Sequence, residues 1–144
     1  MKRLCSILAL WLLAAPVPAP GLAAQDTTQM APAEPMLTVT DAVVARSVLD
    51  REPQDTGTVF PADVGQLVFW TKVAGAPTGV ETTIHHVWFH GETEVGDVEL
   101  HVAGSPWRTW SRKTVPPDWT GAWHVEVRDA GGAVLRRVDF TVGQ

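Results

Sequence analysis

The strongest constraint on this chain is an apolar alternation of period two, cut at short intervals by glycine, proline and aspartate. Val98, Leu100 and Val102 alternate with Glu99 and His101, and Trp123, Val125 and Val127 alternate with His124, Glu126 and Arg128. Val138, Phe140 and Val142 alternate with Asp139 and Thr141. Successive strand residues point to opposite faces, so this pattern buries one face of a sheet and wets the other. Similar runs are read over Leu37–Leu49, Gln66–Val73 (Leu67, Phe69 and Val73 on one face), Thr82–His90 and Trp107–Val115. The breaks are a polar turn over Arg51–Asp55 with Gly57, Gly/Pro loops at Gly75–Gly79 and Gly104–Pro106, and Pro116-Pro117. Asp129-Ala130-Gly131-Gly132 is a hairpin signal. No stretch after the N-terminal segment carries a helical stripe. The expectation is an all-β chain: an antiparallel β-sandwich, immunoglobulin-like, of seven or eight strands.

The N-terminal segment reads differently. Lys2 and Arg3 precede an apolar run, Leu4–Leu13, and Leu22-Ala23-Ala24 ends it in small residues. This is the pattern of a secretory signal peptide, residues 1–24. The run is about ten residues, against roughly 20 for a membrane-spanning helix. A membrane link through an uncleaved signal is the alternative. Residues 25–36, rich in Pro, Ala, Thr and Gln, read as a flexible linker, and 37–144 as the folded domain. The predicted location is periplasmic or secreted.

Cleavage at that point removes Cys5, the one cysteine. The remaining chain then has no disulfide, no thiolate nucleophile and no cysteine ligand for zinc. It also loses Lys2 and Arg3, so 11 basic residues become 9 against 16 acidic ones, a formal charge of −7. Nucleic acid and anionic lipid both need clustered cationic surface, so neither is expected as a partner.

Four of the seven tryptophans fall in Trp107–Val125, interleaved with Arg108, Arg112 and Lys113. Trp107 and Trp110 are three apart, so a regular strand points them to opposite faces. Trp123 and Trp88 read as core. Trp119, in a turn beside Pro117 and Gly121, reads as lapping over the sandwich end. Arg108 shares the face of Trp110, where it either braces the indole as a cation–π pair or meets a ligand. Lys113 shares the face of Trp107 and must reach the sheet edge. In Arg51-Glu52-Pro53 the proline biases Glu52 to an extended backbone. Arg51 then serves either an internal clamp to a carboxylate or an anionic ligand. The candidate ligand-binding residues are Arg51, Arg108, Trp110, Lys113 and Trp119.

Of five histidines, His86 and His90 share a strand face, but their spacing is roughly 13 Å at about 3.3 Å per residue. They cannot chelate one ion without a bulge, so no metal and no cofactor are expected, and His86 reads as partly buried and hydrogen-bonded. The sequence has no nucleophile elbow, metalloprotease, phosphate-loop or dinucleotide motif, so no catalytic residue is named.

Taken together and in order, these residues resemble the bacterial domain-of-unknown-function family numbered 2914. The resemblance rests on Asp50–Pro53, His86-Val87-Trp88 with Gly91, Pro106–Lys113, Trp119–Val127 and Phe140, and spans Thr40–Val142. The chain departs from it at Phe89-His90, where Tyr or Asn is expected. The resemblance implies a small exported β-domain, in the periplasm of a Gram-negative bacterium, and no particular activity. The expected function is a non-catalytic binding module for envelope polysaccharide, peptidoglycan or an envelope protein. A structural accessory domain docked on a larger envelope complex is the alternative, and a hydrolytic enzyme the remote one.

Overall fold

A computed structural model describes residues 37–76 and 79–143. The signal and linker expectations lie outside the described residues. Those residues form ten strands and no helix. They are β1 (Thr38–Ala45), β2 (Ser47–Leu49), β3 (Glu52–Gln54), β4 (Val59–Phe60), β5 (Gly65–Ala74), β6 (Thr82–His90), β7 (Thr93–Val102), β8 (Trp107–Val115), β9 (Gly121–Asp129) and β10 (Val134–Val142). Seven of them are eight residues or longer and fall where the alternation placed strands.

A three-stranded sheet, β1-β5-β8, packs on a five-stranded sheet, β4-β10-β9-β6-β7. Every long pair is antiparallel. The short β4 runs parallel to β10, which departs from the purely antiparallel expectation. Between the sheets lie Leu67, Phe69 and Val73 from β5, Ile84 and Trp88 from β6, Trp123, Val125 and Val127 from β9, and Phe140 and Val142 from β10. Phe69 meets Trp88 edge-on at 6.2 Å between ring centroids, and Trp88 meets Phe140 at 6.3 Å. An indole buried this way removes roughly 200 Å² from water, worth about 5 kcal/mol as an upper figure.

The segment read as a polar turn is instead a small hairpin, β2–β3, laid on the outer side of β1 and β5. Its register pairs Leu49 with Glu52 and leaves Asp50 and Arg51 as the two-residue loop. Both loop residues have positive φ, 51° and 65°. That is the backbone of a hairpin turn whose twist matches its strands, here built without glycine or asparagine at the second position. The hairpin covers Val68 and Trp70, only 1% and 2% exposed although they point away from the core between the sheets. Strand β5 is therefore buried on both faces. The alternation alone assigned it one.

The edges are managed differently. Edge strand β7 has a register shift opposite Trp88/Phe89 that leaves Val95 outside the pairing, and it carries Glu94, Asp97 and Glu99. A bulge and like charges keep such an edge from pairing with another sheet. Edge strand β8 has no register shift against β5 and pairs with a strand on one side only.

Candidate functional site

Cross-strand pairing puts Trp70 beside Trp110 and Lys72 beside Arg108. These four share the outer face of the three-stranded sheet, and Arg112, opposite Val68, continues it. Along β8 the outward series is thus Arg108, Trp110, Arg112, with steps of about 6.7 Å at 3.3–3.4 Å per residue. The β2–β3 hairpin lies over β1 and β5, and Trp110, one strand further out, is half-buried. The hairpin is fastened at its turn, where Trp70 Nε1 donates to the Arg51 carbonyl at 2.8 Å. A second tie is Glu52 Oε1, 2.9 Å from Arg108 Nε. The Arg108 N–H does not point along that approach, so this atom, though shielded from solvent, makes no hydrogen bond. Arg108 and Glu52 side chains are 39% and 51% exposed, so the pair contributes little stability.

The five residues singled out from the sequence do not form one cluster. Arg51, Arg108 and Trp110 gather on this outer face. Arg51 is exposed, and among the described residues no carboxylate lies within ion-pair distance of it; its neighbour Glu52 is the one that meets Arg108. Arg108 turns to Glu52, and the cation–π contact found is elsewhere, Arg128 over Phe89 at 5.7 Å. Lys113 is on the inner side of β8. Its Nζ donates to the carbonyl of Val95, the residue the β7 shift leaves unpaired, passing 3.4 Å from where a Cβ on Gly96 would sit. The ammonium thus closes the gap between the two sheet edges. Trp119 is at the sandwich end, parallel to His90 at 5.5 Å, and its carbonyl accepts from Trp123 Nε1 at 3.0 Å. The sequence reading missed Trp70 and Arg112. The spacing Arg108-x-Trp110-x-Arg112 was the available signal for the second.

His86 is fully buried, where partial burial was expected. Its Nδ1 is 2.9 Å from Ser111 Oγ and its Nε2 3.1 Å from Thr71 Oγ1. Trp88 Nε1 donates to Ser111 Oγ at 3.1 Å, and Thr71 Oγ1 donates to the Thr109 carbonyl at 3.4 Å. These ends fix the middle. Thr71 spends its hydrogen on Thr109, so it accepts from His86 Nε2–H, and Nδ1 is left to accept from the Ser111 hydroxyl. All four polar groups are satisfied by one neutral tautomer. Burial lowers the His86 pKa from 6.5 to about 3. The Ser–His pair has the separation of a nucleophile and its base, but it lies in the core beyond reach of a substrate.

The outer face of the larger sheet is polar. His85 Nδ1 lies 2.8 Å from Asp97, beside a cavity of about 290 Å³ lined also by Val87, Arg128 and the Asp129–Gly132 turn. Phe89 stacks on His124 at 4.4 Å, and the His124 pKa is lowered, chiefly by burial and then by Arg137. Asp139 is held below the usual carboxylate range by its hydrogen bond from Arg137. Among the described residues no group of three or more His, Cys, Asp or Glu side chains is placed to hold a metal ion, and no helix is long and apolar enough to cross a membrane.

The model of the family described as protein of unknown function (DUF2914) matches residues 81–142, which run from the start of β6 to the end of β10. The resemblance read from the sequence is to this same family. The match includes His86-Val87-Trp88 and the tryptophan run, and leaves Asp50–Pro53 outside it. No curated protein matches the chain. Among solved structures it is similar to a β-glucosidase from Kluyveromyces marxianus, at 10% identity and a TM-score of 0.39. That alignment covers 75% of this chain and 14% of the β-glucosidase chain.

Proposed function

We propose that this is a non-catalytic binding module of the bacterial envelope, carried to the periplasm by residues 1–24, with the outer face of β8 as its binding surface. The observation that carries the reading is Trp110, half-buried between Arg108 and Arg112 on the strand of its sheet that the β2–β3 hairpin meets only through the Glu52–Arg108 pair. An indole flanked by guanidinium groups offers an apolar plane with donors on either side. Lys72 and Arg51 add positive charge to this face, on a chain whose formal charge is −5. Such a surface suits an anionic partner from the envelope: a polysaccharide, peptidoglycan or a protein. Glu52 and Asp41 lie on the same side and confine the free charge to the β8 margin.

A non-catalytic role is supported by the satisfied state of the core network. Ser111 and His86 use their polar atoms on each other, Trp88 and Thr71, and are closed to solvent.

The test is tryptophan fluorescence with acrylamide quenching, in the presence of soluble peptidoglycan fragments, anionic envelope polysaccharide and envelope protein extracts. Ligand shielding of a quenchable indole, lost in Trp110→Ala, supports the reading. Unchanged quenching with all three classes sinks it.

A further inference from the structure

We propose that the free edge of β8 accepts an extended acidic peptide as an added strand, so that the partner is a protein segment of the pattern acidic–x–apolar–x–acidic. This rests on the reading of the β8 face as the binding surface and names what binds there.

The edge is nine residues long, unbroken by a register shift, and hydrogen-bonded to a strand on one side only; β7 of the other sheet lies near it and is reached from the inner face by Lys113. Alternate backbone N–H and C=O groups of such a strand face outward and can take another strand. Edge strand β7 carries a bulge and three carboxylates, and Lys113 already occupies its unpaired Val95 carbonyl. Edge strand β4 has two residues. Edge strand β1, at the other side of the three-stranded sheet, has a register shift between Val39 and Asp41, which leaves β8 as the long unbroken edge.

Charge selects the occupant. On β8 the residues at i, i+2 and i+4 on the outer face are Arg108, Trp110 and Arg112. An added strand repeats the same spacing whether parallel or antiparallel, since both rise about 3.3 Å per residue. Its outward residues fall opposite those three, so carboxylates at its i and i+4 meet the arginines and an apolar side chain at i+2 lies against Trp110. Like charges directly opposite are unfavourable, and Arg108 stands opposite Lys72 of β5, with Glu52 of the hairpin at its Nε. A carboxylate on the free side of Arg108 adds to the partial relief that Glu52 gives, and Arg112, for which no ion pair is found among the described residues, takes the second. Arg112 and Lys113 on the same strand repel a second copy of β8, so the edge is guarded against self-pairing while open to an acidic strand.

The experiment uses three probes on the purified protein: a short peptide centred on Glu–Thr–Phe–Thr–Glu, a peptide of the same composition with the two glutamates on opposite strand faces, and a soluble anionic polysaccharide. Readouts are binding affinity and amide hydrogen exchange along β8. The expected result is that the patterned peptide binds about tenfold tighter than its isomer, a difference of 1.4 kcal/mol. It protects alternate β8 amides, and its binding weakens in salt and in Arg108→Ala with Arg112→Ala. The salt bridge to Glu52 is exposed, so that double variant folds, and unchanged exchange in β5 confirms it. Equal affinity for the two peptides, or binding without amide protection, overturns strand addition. Binding of the polysaccharide alone overturns it too, yet leaves the β8 face as a binding surface. Binding of no probe overturns both.

Discussion

The indole N–H of Trp70 donates to the main-chain carbonyl of Arg51 across 2.8 Å, tying a strand of the sheet to the turn of the hairpin that covers it. This bond holds a carbonyl at the tip of an otherwise thinly attached element. Trp70→Phe keeps an aromatic ring under the hairpin but removes the donor. The expected cost is about 1–2 kcal/mol, from one hydrogen bond plus a small loss of packing. Urea unfolding gives the total. Hydrogen exchange separates the parts: the Leu49 and Glu52 amides lose protection, and those of β6 and β9 keep it.

Arg51 itself tests the backbone. At φ 65° a residue with a side chain is strained by roughly 1–2 kcal/mol, and glycine is not. Glycine gives back about 0.5–1 kcal/mol through the greater freedom of the unfolded chain. Arg51→Gly is therefore expected to leave the melting temperature unchanged or slightly raised. Arg51→Val, β-branched at the same φ, lowers it. Should both variants melt alike, the turn does not have the left-handed geometry described.

The His86 network makes stability depend on acid. The unfolded chain protonates this imidazole near pH 6.5, while the folded chain resists until about 3. Between those values the unfolded state binds more protons, so stability falls as pH drops from about 6.5 toward 3. The slope contributed by one group approaches about 1.4 kcal/mol per pH unit, and the whole window is worth several kcal/mol. His124, lowered in the same direction, adds to it. His86→Gln keeps one acceptor and one donor for Ser111 and Thr71 and does not titrate. Denaturant midpoints measured from pH 7 to pH 4 are expected to fall less steeply in this variant. Parallel curves would mean that His86 takes up its proton equally in the folded and the unfolded chain.

The long strands and the inward faces were legible in the sequence because period-two burial writes itself directly into residue type. Trp88, Trp123 and Phe140 stand at inward positions and are core. Strand β5 broke the rule, since Val68 and Trp70 are buried by a hairpin whose first strand, Ser47 to Leu49, reads as the end of the run before it and whose remainder, Asp50 to Gln54, is polar and looks like a loop. A covering layer this short, and half of it polar, leaves no hydrophobic pattern of its own. The candidate site was legible in part for a related reason. Alternation placed Arg108 with Trp110, and Lys113 with Trp107, along one strand. It carries no information on which strand lies alongside, so neither Trp70 beside Trp110 nor Val95 above Lys113 followed from it. Pairing partners depend on chain crossings that local pattern does not record.

The sequence casts Lys113 as a ligand contact that must reach an edge, and its partner in the fold, the Val95 carbonyl, gives it a different part to test. The bulge in β7 leaves that carbonyl without a strand partner, and a charged donor supplies one across the gap between sheets. Charge-assisted bonds of this kind contribute about 1.5–3 kcal/mol when partly buried. Lys113→Met retains the aliphatic stem over Gly96 and deletes the donor. The expected result is a loss of about 1–2 kcal/mol by urea unfolding, with faster amide exchange at Val95, Gly96 and Asp97 and little change in β1. Lys113→Arg restores most of the loss, because a guanidinium still reaches and donates. If methionine costs nothing, the carbonyl is served by water and the two edges are held by packing alone.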